Sequence, residues 1–115
     1  MSQLVYKILD ANLWESARQA GSFQGAGIDV QDGFIHLSAA DQVQETARLY
    51  FAGQSNLVLV EFDADQLGDG LRWEASRDGQ KFPHVYGEIP VQLASNVWPM
   101  PLNDDGIPVV PELNG

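Results

Sequence analysis

The sequence predicts an α+β domain with a mixed, mainly antiparallel sheet and two helices. Stretches with strand character outnumber helical ones, both helical stretches fall in the first half of the chain, and neither an internal repeat nor a second domain is visible. Residues 1–96 read as the domain, and residues 97–115 as a proline-rich tail packed on it or extending from it.

Leu4–Leu9 alternates with apolar residues on both faces, as expected of a central strand. Asp10 or Asn12 is placed to cap the helix that follows, in which Leu13, Trp14, Ala17 and Ala20 keep helical spacing until Gly21. Residues 21–33 are rich in glycine and read as a loop, with Gly21–Gly27 carrying no phosphate-binding glycine pattern. Residues 33–37 form a short strand. Ser38 then reads as the cap of a second helix with Val43, Ala47, Tyr50 and Phe51 as its apolar stripe. Residues 56–62 give the strongest strand, residues 71–75 alternate cleanly, residues 81–86 are extended around Pro83, and residues 88–93 give a last strand. Beyond Val97, Pro99, Pro101, Pro108 and Pro111 exclude a long helix.

Composition narrows the function. The 115 residues suffice for one hydrophobic core, and 44% of them are hydrophobic, so disorder is not expected. No window reaches the roughly 20 apolar residues that span a bilayer. The absence of cysteine excludes disulfides and thiolate chemistry and suits a reducing compartment, so a cytoplasmic protein is expected. Six basic residues stand against 16 acidic ones, a net charge of −10. Such a surface repels polyanions, which argues against bulk nucleic acid and anionic membranes as partners. A small anionic or nucleotide-like ligand in a local basic pocket remains compatible with it.

The chemistry gathers in two stretches. His36 precedes Ser38 by two positions and His84 precedes Tyr86 by two, and in a strand such pairs share a face. An imidazole beside a hydroxyl suits acid–base work and ribose or phosphate recognition. Arg72, Arg77 and Lys81 make up half the basic residues and run straight into the second stretch. Arg72 shares its strand face with Glu74, which is placed to hold the guanidinium toward a ligand. A pocket of Arg72, Arg77, His36 and His84 would bind an anion. Plainer roles stand beside these: Ser38 as a cap, Arg72 and Glu74 as a solvated pair, Trp73 and Tyr86 as core. The ligand spacing expected of a zinc site is missing, so no metal site is assigned.

Tyr6-Lys7-Ile8, Trp14, the run Asp32-Gly33-Phe34-Ile35-His36-Leu37-Ser38, Trp73-Glu74 and Phe82-Pro83-His84-Val85-Tyr86-Gly87 together resemble the DUF952 family. The likeness runs to about residue 95. The resemblance implies the ADP-ribosylation fold, shared by NAD-dependent ADP-ribosyltransferases and RNA 2′-phosphotransferases. One class of those transferases grips the nicotinamide ribose with a strand His-x-Ser/Thr, which His36-Leu37-Ser38 is similar to. On that implication Tyr86 is the stacking tyrosine, Glu74 and Glu88 are candidates for the late catalytic glutamate, and NAD is the implied cofactor. No Arg-Ser-Glu pattern is present. Three readings follow: a transferase-like enzyme or nucleotide binder with catalytic His36, His84, Glu74 and Glu88 and ligand-binding Ser38, Arg72, Arg77 and Tyr86; a non-catalytic ligand- or protein-binding module; and a metal-assisted hydrolase. Monomer and dimer fit the sequence equally.

Overall fold

The computed structural model describes residues 3–76 and 79–113. Its frame is a four-stranded antiparallel sheet in the order β4-β1-β5-β9. Strands β1 (Leu4–Asp10) and β5 (Leu57–Asp63) occupy the centre and pair over their full length, from Leu4 opposite Asp63 to Asp10 opposite Leu57. A sheet covered on both faces needs apolar side chains on both, which explains the unbroken apolar run in β5. Strand β9 (Ala94–Met100) flanks β5, and the two-residue β4 (Ser38–Ala39) flanks β1.

One face of this sheet presents Val5, Leu9, Val60 and Phe62 to the inner core. Opposite lies a second, three-stranded sheet in the order β3-β7-β6: β3 (Ile35–His36), β7 (Lys81–Val85) and β6 (Leu71–Ala75). It contributes Ile35 and Val85, with Leu71 and Trp73 packed at the margin. Helix α1 (Ala11–Ala20) closes the side with Trp14 and Ala17; the Asp10 side chain accepts from Asn12 N at its start, and Gly21 ends it in the left-handed conformation. The other face of the large sheet packs Tyr6, Ile8, Leu57, Leu59 and Met100 against Val43 and Ala47 of helix α3 (Val43–Tyr50). None of the described helices is long and apolar enough to cross a membrane.

Several expectations are corrected. The glycine-rich loop contains strand β2 (Ser22–Phe23) and a single helical turn, α2 (Ile28–Asp32). Ser38 is not a helix cap: it pairs with Tyr6 in the large sheet, and α3 starts at Val43 after Gln42, whose Oε1 accepts from Ala39 N at 2.9 Å. Backbone pairing to β1 outcompetes local capping here. Tyr50 turns outward from the α3 stripe and is exposed. The strand expected at residues 88–93 shortens to β8 (Ile89–Pro90), which pairs with β2, followed by a 3₁₀ turn at Val91–Leu93. The connection after β5 folds into a short helix, α4 (Ala64–Leu67), and a 3₁₀ turn. The boundary expected after residue 96 falls inside β9, so residues 97–100 belong to the large sheet. Pro99 is tolerated there because β9 is an edge strand. Farther on, Val110 and Leu113 pack against the outer core.

Leu59 is fully buried at the middle of β5. Leu59→Ala is expected to cost about 3 kcal/mol through the cavity it leaves, read as a lower urea midpoint at unchanged slope.

Candidate functional site

In the three-stranded sheet, His36 lies opposite His84, and His84 lies opposite Arg72. Directly opposed residues of antiparallel strands project to the same face. Ile35, Val85 and Trp73 fill the inner face, so Phe34, His36, Phe82, His84, Tyr86, Arg72 and Glu74 share the outer one. The imidazoles of His36 and His84 meet edge to face with centroids 5.3 Å apart. The Phe34 ring packs against both, at 4.6 and 4.4 Å, and against Tyr86 at 5.1 Å. The Arg72 guanidinium carbon lies 5.4 Å from the Tyr86 ring centroid.

The histidines differ in what holds them. His84 Nδ1 lies 2.9 Å from Glu74 Oε1, which also accepts from the Tyr86 hydroxyl at 2.8 Å. A carboxylate only accepts, so His84 carries its proton on Nδ1. Nε2 has no hydrogen-bond partner among the described residues, and the ring is buried, with its side chain 5% exposed. The bonds from His84 and Tyr86 hold the Glu74 carboxyl below its usual range, and the same Glu74 bond pushes the Tyr86 hydroxyl up.

His36 is tied at both ring nitrogens: Nδ1 lies 2.7 Å from Asp29 Oδ1, and Nε2 lies 3.1 Å from Asp32 Oδ2. Asp29 is buried in α2 and also binds Lys7 Nζ at 2.7 Å and the amides of Ala26 and His36, each at 3.1 Å. Lys7 Nζ donates as well to the His36 carbonyl at 3.0 Å. Burial pushes the Asp29 carboxyl up, but the Lys7 charge and the converging hydrogen bonds outweigh it and hold the group below the usual carboxylate range. Burial drives the Lys7 ammonium down, against the pull of Asp29. Gly25 admits this arrangement: its φ is +113°, and an added Cβ would stand 3.0 Å from Asp29 Cβ.

A cleft of about 550 Å³ opens beside these groups, with Lys7, Asp29, Asp32, His36, Ser38 and His84 among its lining residues. Ser38 Oγ lies 3.3 Å from Thr46 Oγ1. The two histidines and Ser38 therefore meet in one cleft, although not by the route expected. The smaller sheet's strand ends at His36 and the larger sheet's begins at Ser38, so simple alternation does not relate His36 to Ser38. Glu88 is not brought to the cleft: it accepts from Ser22 Oγ and Gln24 Nε2 and lines a separate depression of about 470 Å³ beyond Phe34. Tyr86 is exposed rather than core, and Arg77 lies outside the described residues. Lys7, Asp29 and Asp32 were missed. A lysine inside an otherwise apolar central strand signals a buried partner; nothing local marks Asp29 as that partner.

Asp29→Asn leaves Lys7 buried without its counter-charge, with an expected loss of about 3–5 kcal/mol. Because the folded-state carboxyl is held low, its stabilisation is present above the unfolded value, near pH 4, and is lost as pH falls through the folded value. Urea midpoints between about pH 3 and 6 should therefore fall more steeply toward acid in the native chain than in the variant.

Comparison with known proteins finds no match among curated proteins. Among solved structures, the crystal structure of protein CC0527 from Caulobacter crescentus is 47% identical, with a TM-score of 0.90 over 92% of this chain and 93% of that one. Its solution NMR structure is 48% identical, with a TM-score of 0.83 over 91% and 90% of the two chains. The family model described as "Protein of unknown function (DUF952)" matches residues 8–97, and with the matched run spanning the large sheet's centre and both histidine strands, the chain belongs to the DUF952 family.

Proposed function

We propose that the cleft binds a small nucleoside- or nucleotide-type ligand and that His84 exchanges a proton with it. The observation that carries this reading is the open Nε2 of His84, on a ring whose other nitrogen is fixed by Glu74. An imidazole held in one tautomer by a carboxylate, on a residue that lines a cleft, is suited to act as a general base. Glu74, not Glu88, is the glutamate in reach of that ring.

An ADP-ribosyltransferase-like activity on NAD is the transferase form of this proposal. It draws support from the resemblance of His36-Leu37-Ser38 to the ribose-gripping element and from the shared cleft of His36, Ser38 and His84. A non-catalytic binding module is favoured by one observation: both His36 ring nitrogens already face carboxylates. Among the described residues no group of three His, Asp or Glu side chains suits a metal ion, so the metal-assisted reading lacks a donor set.

Incubation with NAD and detection of free nicotinamide tests the transferase form, and amide NMR shifts on titrating NAD or adenosine test binding. His84→Ala is expected to lower any turnover about 10²–10⁴-fold, the range of general acid–base contributions. Glu74→Gln should lower it less, and Glu88→Gln should leave it unchanged. Shifts absent from the cleft residues with every ligand would remove the proposal.

A further inference from the structure

The same cleft also has an apolar lining. Leu13 of α1, Ile28 of α2 and Tyr50 and Phe51 at the end of α3 line it together with Leu9 and Ala26. Leu13, Ile28 and Tyr50 are 48%, 60% and 60% exposed, so folding leaves three large apolar side chains from three helices in the water of a single cleft. Each helix buries other residues: Trp14 and Ala17 in α1, Val43 and Ala47 in α3, and the Asp29 side chain in α2.

The charges among the lining residues point to an uncharged guest. Among the described lining residues the only lysine or arginine is Lys7, and it is committed to Asp29. Arg72 lies over Tyr86, outside the lining. Asp10 and Asp32 line the cleft as acceptors, so a phosphate placed there would meet carboxylates without a cation to offset them.

We infer that the cleft is a two-part site for an uncharged amphipathic molecule: an apolar ring held by Leu13, Ile28, Tyr50 and Phe51, and hydroxyl donors directed at Asp32 and His84. This is the chemistry of a nucleoside without its phosphate, and it rests on the ligand reading above. The cleft volume of about 550 Å³ lies within the roughly 300–1,000 Å³ typical of small-molecule sites.

N-phenylnaphthylamine, a neutral two-ring dye, is the probe. The native chain should enhance its fluorescence with saturable single-site behaviour. Leu13→Glu and Ile28→Glu, both at exposed positions, should each weaken binding about tenfold or more by placing a charge against the ring. Val30→Glu, at an exposed residue that lines the other depression and not this cleft, should leave it unchanged. Adenosine should displace the dye, and AMP should do so more weakly. Unsaturable binding, equal binding by both cleft variants, or AMP matching adenosine would overturn the inference. Dye binding lost in Ile28→Glu but untouched by adenosine and AMP alike would support the apolar half and remove the nucleoside assignment. Absence of free nicotinamide on incubation with NAD would remove the transferase form and leave the dye result standing, whereas amide shifts with adenosine and no saturable dye binding would remove this inference alone, so the two proposals fail separately.

Discussion

The arrangement depends on one buried charge pair. Lys7 stands in the middle of the large sheet, where its face is otherwise turned toward apolar core, and an ammonium there persists only with a partner. Asp29 supplies it from α2, at 2.7 Å, and the same carboxylate reaches the ring and amide of His36 in the smaller sheet. Two sheets and a helical turn are thereby referenced to a single aspartate. The pair also protects register: a one-residue slip of β1 against β5 would exchange the faces of Lys7 and its apolar neighbours. The residues so joined, Lys7, Asp29 and His36, all line the cleft.

The two histidines illustrate how surroundings divide labour between identical side chains. His36 is hydrogen-bonded to buried Asp29 through Nδ1, and its Nε2 lies 3.1 Å from the partly exposed Asp32 carboxylate. His84 is more deeply buried but has only one nitrogen engaged, and the carboxylate that engages it also holds Tyr86. Phe34 packs on both rings and on Tyr86, so the four rings limit one another's rotation. The same side chain thus stands in two different hydrogen-bonding environments on one sheet face.

Much of the frame was legible in the residues. Periodicity alone located β1, β5 and β6, because each is long enough for alternation or continuous apolarity to register. The helix caps were read less well. Ser38 carries every local mark of an N-cap, yet its backbone is taken by β1, a partner 32 residues away that no local pattern reports. The glycine-rich segment concealed Asp29 for a related reason: its glycines mark loop, while the helical turn they frame is stabilised by contacts to Lys7 and His36. The convergence of the histidines was legible from their strands and spacing. The assignment of Glu88 was not, because the bend at Gly87 sends its carboxylate to Ser22 and Gln24 instead.

Leu37 is the single residue between the two sheets. It is buried, and its amide donates to the Pro83 carbonyl at 2.9 Å, so the crossing is stiff. His36 therefore travels with the smaller sheet and Ser38 with the larger. A guest touching both residues would bridge two slabs whose separation is set by Val60, Phe62, Ile35 and Val85 between them. Trimming any one of those four side chains would therefore shift His36 relative to Ser38 without touching either residue.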